Sequence, residues 1–219
     1  MSITSIVLGC AASYLLGSIP TGYIAGRVLK GVDLRKVGSR NPGTTNVFRS
    51  LGWGPAVAVF AVDMSKGLIP VLTFPGIFLS SEAGDPSLLL SYRIAFGTMA
   101  IMGHVWSFFL SFRGGKGVGT SFGVFMGLAP VATLFSLAVW VVLVVPTRIV
   151  SIGSLGAAVS FPFFLLLTEQ GILEEKISLF LFGSLVTILV VYTHRSNIWR
   201  LLQGEEQSLK KKRGDDGVD

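Results

Sequence analysis

The chain has 219 residues, of which 51% are hydrophobic and only 14% are charged, and its formal net charge is +6. Soluble domains carry about 25% charged residues, so this composition excludes a soluble globular domain and indicates a polytopic membrane protein. Most of the positive charge lies between apolar runs, which indicates orientation in a bilayer and argues against nucleic-acid binding. A single cysteine, Cys10, excludes an internal disulfide and a cysteine-based metal site.

The first apolar run, residues 3–25, has the length of one membrane crossing, for which about 20 residues suffice. No cation precedes this run, whereas six Lys and Arg residues follow it within residues 27–51. A cleavable signal peptide carries its charge before the apolar stretch. We therefore predict a retained helix with its N-terminus outside and residues 27–51 in the cytoplasm.

Residues 38–49 of this cytoplasmic segment are rich in glycine, hydroxyl and amide side chains and include Arg40 and Arg49. An ordinary turn-rich loop that leads into the next helix has the same composition. However, about 25 ordered residues between two helices are more typical of a functional loop. A polar ligand pocket is therefore a second interpretation.

The second predicted span, residues 53–79, contains Asp63 and Lys66. Residues three apart share a helix face, so the two charges can partly neutralise each other. Charges at this depth are costly and normally face the protein interior, either as a structural pair or as part of a site. The segment that follows, residues 80–91, carries two acidic residues and no cation, so we predict that it lies outside.

The third predicted span, residues 92–112, contains His104 and ends at a loop in which Arg113 and Lys116 are set among four glycines. Glycine permits positive φ, so successive N–H groups can face one anion, and both cations can bind the same anion. A Walker motif is excluded because Leu110 occupies the position of its first glycine. A basic turn between helices is the simpler interpretation, but we predict a phosphate site.

The remaining apolar runs predict four further spans. The first two are short, because Gly127 and Pro130 interrupt the run and because a single crossing there would place the cations at 210–213 outside. The fold class is thus an all-α integral membrane protein with about seven transmembrane helices and a cytoplasmic C-terminus. We predict one transmembrane domain over 1–207 and a basic, then acidic, flexible tail over 208–219. The four spans are 118–129, 130–146, 149–168 and 177–192.

Three polar segments from distant parts of the chain fall on the cytoplasmic side in this topology. Their motifs resemble, in order and over nearly the whole chain, those of the bacterial acyl-phosphate:glycerol-3-phosphate acyltransferase family. The matching residues are Gly38-Ser39…Asn41-Pro42-Gly43…Thr45-Asn46…Arg49, then Gly103-His104…Phe112…Gly114-Gly115-Lys116-Gly117, and finally His194-Arg195…Asn197-Ile198…Arg200-Leu201…Gly204…Glu206.

The resemblance implies transfer of a fatty acyl group from acyl phosphate to the sn-1 hydroxyl of glycerol 3-phosphate. Lysophosphatidic acid and inorganic phosphate would be the products, in the first step of bacterial phospholipid synthesis. It also implies a multi-pass enzyme of the cell inner membrane with a cytoplasmic active site and no metal or cofactor. A soluble enzyme that produces acyl phosphate is then a candidate partner on the cytoplasmic face.

The same resemblance points to the site residues. We predict five catalytic residues, Ser39, Arg49, Lys116, His194 and Asn197. The predicted substrate-binding residues are Asn41, Asn46, Asp63, Lys66, His104, Arg113, Gly114, Gly115, Gly117, Thr120, Arg200 and Glu206. The chain departs from the family pattern at four positions. Arg40 stands where Gly is common and Ser107 where Pro is common, while Arg113 replaces a common Lys and Ser196 a common Glu.

Both substrates are phosphate anions and acyl phosphate is already activated, so catalysis needs charge neutralisation and alignment more than a strong nucleophile. We expect Lys116, Arg113 and the glycine N–H groups to hold one phosphate. The residues expected at the other phosphate or at the developing oxyanion are Arg49, Asn46, Ser39 and Asn197.

Two questions remain open at this stage. The proton of the attacking hydroxyl goes either to a histidine, His104 or His194, or to the leaving phosphate, which we favour. A transporter of an anionic metabolite is the alternative function, but it predicts polar residues along a path through the membrane. A metal-dependent phosphatidyltransferase would need clustered aspartates, and Asp63 is the only Asp within the predicted spans.

Overall fold

We describe the chain in a computed structural model over residues 3–79, 86–170 and 172–209. The regular structure of these residues is helical. A short 3-10 turn, Phe108–Leu110, follows the fifth α-helix. Glu82 and Asp85 of the predicted outer loop, and the cations at 210–213, lie outside the described residues. The α-helices are α1 Ile3–Ser18, α2 Thr21–Lys30, α3 Thr44–Leu51, α4 Trp53–Phe78, α5 Pro86–Val105, α6 Val118–Leu128, α7 Pro130–Thr147, α8 Val150–Thr168, α9 Leu173–Thr193 and α10 Arg195–Leu202.

The helices confirm the predicted all-α membrane fold with about seven spans. Six segments of the described chain are long and apolar enough to cross a bilayer, with α1 and α2 counted together, and α6 is a shorter apolar helix. The predicted break between α6 and α7 occurs at Ala129, whose N–H is donated to Phe125 O at 2.7 Å. Pro130 has no N–H to continue α6 and begins α7 instead.

The first predicted span is not one continuous helix, and that prediction was wrong. α1 ends at Ser18, and α2 begins three residues later because Pro20 cannot donate a helical hydrogen bond. Two later parts of the chain bind the carbonyl groups that the break exposes. Ser107 Oγ donates to Ser18 O, and Lys66 Nζ donates to Ile19 O, both at 2.5 Å. The break therefore attaches α4 and the loop after α5 to the first span.

The third span begins and ends earlier than predicted, at Pro86 rather than at residue 92 and at Val105 rather than at residue 112. The chain then folds back against the last turn of α5. Gly114 donates its N–H to Val105 O and Gly115 donates to His104 O, both at 3.0 Å. The glycine loop is therefore packed onto α5, with His104 directly beneath it.

The last span begins earlier than predicted. α9 starts at Leu173 rather than at residue 177. Glu174 and Glu175, which lie between the predicted spans 149–168 and 177–192, occupy its first turn. Negative side chains are stabilised at this position by the helix dipole, so the helix is longer than its apolar run.

The helices form two groups with a gap between them. α4 packs against α1, α5 and α6, while α8 packs against α7 and α9. α4 and α6 approach closely because a Cβ at Gly67 or at Gly123 would overlap a backbone carbonyl of the other helix. Phe125 of α6 joins the two groups, with its ring centroid 4.3 Å from that of Phe161 and 5.1 Å from that of Phe182.

Candidate active site

A cavity of about 460 Å³ occupies the gap between the two groups of helices. We call its charged end the polar end and the remainder the apolar arm. The polar end is lined by Ser39, Asn41, Arg49, Asp63, His104, Lys116, Ser151, His194, Asn197 and Glu206. The apolar arm is lined by Phe60, Phe122, Phe125, Leu137, Trp140, Ala157, Phe161, Val186 and neighbouring residues. The three predicted polar segments therefore meet at one end of a single cavity.

A chain of hydrogen bonds fixes Lys116 at the polar end. Lys116 Nζ donates to Asn197 Oδ1, and Asn197 Nδ2 donates to Glu206 Oε1 at 2.5 Å. Glu206 also accepts from Ser151 Oγ at 2.9 Å and from Arg200 Nε at 2.7 Å. Arg200, which we predicted to bind substrate, is outside the cavity lining and orients Glu206 instead. The carboxylate thus joins α8, α10 and the C-terminal segment around the lysine.

The electrostatics of the polar end favour an anion. Burial lowers the pKa of Lys116 to about 8, with a further lowering from Arg200 and Arg49 and an opposing effect from Glu206. Burial likewise lowers the pKa of Arg49. Burial raises the pKa of Glu206, but hydrogen bonds led by that from Asn197 outweigh this effect, so the net shift is downward. The cations are thus only partly compensated, and a bound phosphate would stabilise them.

Four helices begin at the polar end. The first turns of α3, α6, α8 and α10 contribute Thr44, Val118, Ser151 and Asn197 to its lining. The N-terminus of a helix carries a partial positive charge and backbone N–H groups without helical partners. Four such ends around Lys116 add to its charge and favour phosphate binding.

The C-terminal segment covers part of the polar end. Arg49 Nη2 donates to Gln207 O at 2.7 Å, whereas Arg49 Nε is buried without a partner. Leu209, which we assigned to the flexible tail, lines the cavity and donates its N–H to Arg148 O at 2.7 Å. The rest of the predicted tail, residues 210–219, lies outside the described residues.

The loop of the first motif is organised by Asn46. We predicted that Asn46 binds substrate, but its Nδ2 donates to Leu34 O and Val37 O, both at 3.0 Å. Its Oδ1 accepts from the backbone N–H of Ser39 at 3.1 Å. Asn46 also lines the cavity, but its amide is occupied within its own loop and positions Ser39, which lines the polar end together with Asn41.

His194 lies buried at the end of α9. Its Nδ1 is 2.8 Å from Val190 O, and because a carbonyl only accepts, Nδ1 carries the proton and Nε2 remains an acceptor. Burial, reinforced by the charge of Lys116, lowers the pKa of His194 to about 4. Protonation at pH 7 would then cost about 4 kcal/mol. His194 is consequently a poor general base.

The charges on α4 have different positions. Lys66, predicted to bind substrate, lies outside the cavity lining, is 2% exposed, and donates to Asp63 Oδ1 at 2.6 Å and to Ile19 O. Thr21 Oγ1 donates to the same carboxylate oxygen at 2.9 Å. Asp63 and His104 do line the cavity, with His104 Nδ1 3.8 Å from Asp63 Oδ1. Lys66 is therefore structural, and Asp63 links it to the cavity wall.

The glycine loop differs from our prediction. Arg113 is exposed, and the N–H groups of Gly114 and Gly115 are already donated to carbonyl groups of α5. Glycine is needed at 115 for close approach, because a Cβ there would overlap the ring of His104. The loop positions Lys116 rather than forming an anion nest. The residues of this motif that we predicted to bind substrate but that lie outside the cavity lining are Arg113, Gly114, Gly115, Gly117 and Thr120.

Four serines of the cavity, Ser121, Ser136, Ser151 and Ser154, were missed from the sequence. Ser151 and Ser154, three residues apart on one face of α8, both line the cavity. Ser151 binds Glu206, which follows it by more than fifty residues. Serines in apolar helices commonly serve close helix packing, so composition alone does not distinguish these two. Their spacing on one face was the available signal.

Comparison with known proteins identifies the family. The model of the glycerol-3-phosphate acyltransferase family matches residues 7–204. The chain belongs to the glycerol-3-phosphate acyltransferase family. The glycerol-3-phosphate acyltransferase of Chlorobium phaeobacteroides is 37% identical, with 91% of this chain and 94% of the relative covered. That of Synechococcus elongatus is 42% identical, with 93% and 94% covered.

The acyltransferase also resembles solved structures over nearly its whole length. The glycerol 3-phosphate form of PlsY, an integral membrane glycerol 3-phosphate acyltransferase, superposes with a TM-score of 0.81 at 37% identity, covering 94% of this chain and 96% of PlsY. The lysophosphatidic acid form gives a TM-score of 0.79 at 35% identity. The predicted family is confirmed, and the chain is an integral membrane acyltransferase.

Proposed function

We propose that this acyltransferase moves a fatty acyl group from acyl phosphate to the sn-1 hydroxyl of glycerol 3-phosphate. The products are lysophosphatidic acid and inorganic phosphate, in the first step of phospholipid synthesis. The observation that carries the proposal is a single cavity that joins a cationic polar end to an apolar arm. Acyl phosphate has the same two parts, and glycerol 3-phosphate requires only the polar end.

The polar end supplies what two phosphates need. Lys116 and Arg49 are the cations in the cavity lining, so each substrate phosphate can pair with one of them. Ser39 and Asn41 add hydrogen-bonding groups beside Arg49. Asn197, fixed by Glu206, holds Lys116 in place for the incoming anion. Arg113, which we first expected at this phosphate, has no part in the proposed site.

Catalysis then rests on alignment and charge stabilisation. The sn-1 oxygen forms a bond to the acyl carbon, while the bond from that carbon to the phosphate oxygen breaks and its electron pair leaves with the phosphate. The hydroxyl proton passes to the leaving phosphate. His194, with a pKa of about 4, accepts a proton less readily than the leaving phosphate, whose negative charge increases as the bond breaks.

Transport is less compatible with this cavity than acyl transfer. A transporter needs polar groups along a path between the two faces of the membrane. Here the charged lining residues lie at one end, the arm carries uncharged hydroxyl groups such as those of Ser136 and Thr133, and it ends between Phe125 and Phe161. A cavity with one charged end suits an enzyme whose donor has a charged head and an apolar tail.

The proposed orientation places the polar end at the cytoplasmic face of the bacterial inner membrane, with the N-terminus outside. The cation-rich segment after α1 and Arg148, whose carbonyl binds the C-terminal segment, lie towards this end. Glycerol 3-phosphate then reaches the site from the cytoplasm. A soluble enzyme that produces acyl phosphate is the candidate partner at this face.

The test uses purified protein in detergent with glycerol 3-phosphate and either palmitoyl phosphate or palmitoyl-CoA. Phosphate and lysophosphatidic acid are measured together. We expect equal amounts of both products with palmitoyl phosphate, no turnover with the thioester, and loss of activity in Lys116→Ala. Lys36→Ala, which removes an exposed cation, is the matched control and should retain activity. Turnover with the thioester would overturn the donor assignment, and no turnover with either donor would favour transport.

A further inference from the structure

We infer that Phe125 and Phe161 form the floor of the apolar arm and set the longest acyl chain that the arm accommodates in extended form. The inference rests on the proposed function, because it requires that the donor's acyl chain fills the arm. Both rings line the cavity, and their centroids are 4.3 Å apart at an interplanar angle of 48°. A tilted pair at this distance leaves no opening for a methylene chain between the rings.

On each helix that surrounds the deep end of the arm, the cavity lining stops at a definite level. α6 and α8 lead away from the polar end, whereas α7 and α9 lead back towards it. Beyond this level no further residue of these helices lines the cavity, within the part of the chain that the structure describes. The deepest lining residues on the four helices are Phe125, Thr133, Phe161 and Gly183.

The depth of the arm follows from α8. Phe161 lies ten residues after Ser151, which binds Glu206 at the polar end, so the two are about 15 Å apart along the helix axis. An extended acyl chain advances about 1.3 Å per carbon, given C–C bonds of about 1.5 Å. About a dozen methylene groups therefore span the arm before the chain meets the floor.

The floor is held rigidly. Phe125 is 4% exposed and Phe161 is 6% exposed, so both rings are packed on nearly all sides. A Cβ at Gly183 would lie 3.1 Å from the Phe161 ring, so the backbone of α9 already touches that ring. Closely packed interiors resist displacement, so a longer chain cannot simply push the floor aside.

Discrimination between donors of different chain length follows from burial of their methylene groups in the arm. Each methylene group that fits within the arm increases binding about fourfold, whereas a methylene group beyond the floor gains nothing and forces the chain to bend. Deepening the arm should shift the preference towards longer donors, and shortening it should shift the preference towards shorter ones. The two changes have opposite signs, which a general loss of stability cannot imitate.

The test measures kcat/KM for lauroyl, myristoyl, palmitoyl and stearoyl phosphate with the full-length protein. Phe161→Val should raise the ratio of kcat/KM for a longer donor to that for the next shorter donor. The increase should be about tenfold at the end of the series. Ala157→Leu should change the ratio by a similar factor in the opposite direction. Ala157 lies one helical turn before Phe161 on the same face and lines the arm, so leucine there raises the floor.

Phe182→Leu is the matched control. Phe182 packs on Phe125 but does not line the cavity, so its replacement loosens the same cluster without changing the depth of the arm. We expect the chain-length profile of the wild type. Unchanged profiles in Phe161→Val and Ala157→Leu, or equal shifts in all three variants, would overturn the inference while leaving acyl transfer intact. A wild type that does not use acyl phosphate would instead contradict the proposed function.

Discussion

Lys66→Met tests whether the buried charge on α4 is structural. The ammonium group is 2% exposed and donates to Asp63 Oδ1 at 2.6 Å and to Ile19 O at 2.5 Å. Its removal leaves a carboxylate that is 3% exposed, with the Thr21 hydroxyl at 2.9 Å and His104 Nδ1 at 3.8 Å as the neighbouring groups within the described residues. Breaking a buried ion pair from one side costs about 3–5 kcal/mol. About 1 kcal/mol corresponds to 2–4 °C in a chain of this size, so the apparent Tm should fall by roughly 6–20 °C.

The assay is thermal unfolding in detergent at one fixed scan rate, since unfolding of a membrane protein is often irreversible. The double variant Asp63→Asn with Lys66→Met removes both charges and should recover more than half of the lost Tm, because no unpaired charge remains. Lys36→Met, at an exposed site, should melt like the wild type. If Lys66→Met melted within about 2 °C of the wild type and raised the KM for glycerol 3-phosphate, Lys66 would be a substrate ligand and our interpretation would be wrong.

Three further predictions concern the polar end. Because the pKa of Lys116 is about 8, kcat/KM should fall as pH rises through this value. Lys116→Arg, if active, should move that fall to higher pH. If the fall stayed at the same pH, it would belong to the titration of another group. His194→Gln should retain the pH dependence of the wild type even at reduced activity, since the pKa of His194 is already about 4. Loss of one limb of the pH–activity curve in this variant would identify His194 as the base. Gly115→Ala should lower activity at least tenfold because its Cβ would overlap the ring of His104. Gly76→Ala, where nothing lies within 4 Å, should leave activity unchanged. Equal effects of the two substitutions would contradict the packing described for the loop.

The sequence was sufficient to predict the membrane fold and the meeting of three motifs, because both follow from hydrophobic length and charge distribution. It was not sufficient to predict how the first span is built. Pro20 lies in an apolar run, and its consequence depends on Lys66 and Ser107, which bind the carbonyl groups at the break. Contacts between residues so far apart leave no periodic signal in the chain.

The site was predicted by residue type but not by role. Lys116 and Arg49 lie in the cavity, whereas Arg113, a cation of the same loop as Lys116, is exposed in the turn that precedes the contacts of Gly114 and Gly115 with α5. Asn46 has the chemistry of a ligand-binding amide, but nearby backbone groups occupy it. Whether a polar side chain faces a ligand or its own loop is decided by tertiary packing.

The most direct test of the central claim is photo-crosslinking with an acyl phosphonate that resembles the donor, cannot be hydrolysed, and carries a diazirine near the methyl end of its chain. Sites of attachment are then located by mass spectrometry. If the phosphonate binds at Lys116 and its chain fills the apolar arm, the label should attach near Phe125 and Phe161, and excess glycerol 3-phosphate should not displace it from α6 and α8. Attachment confined to outward-facing side chains such as Phe135 and Leu181, which are 50% and 56% exposed, would contradict the account.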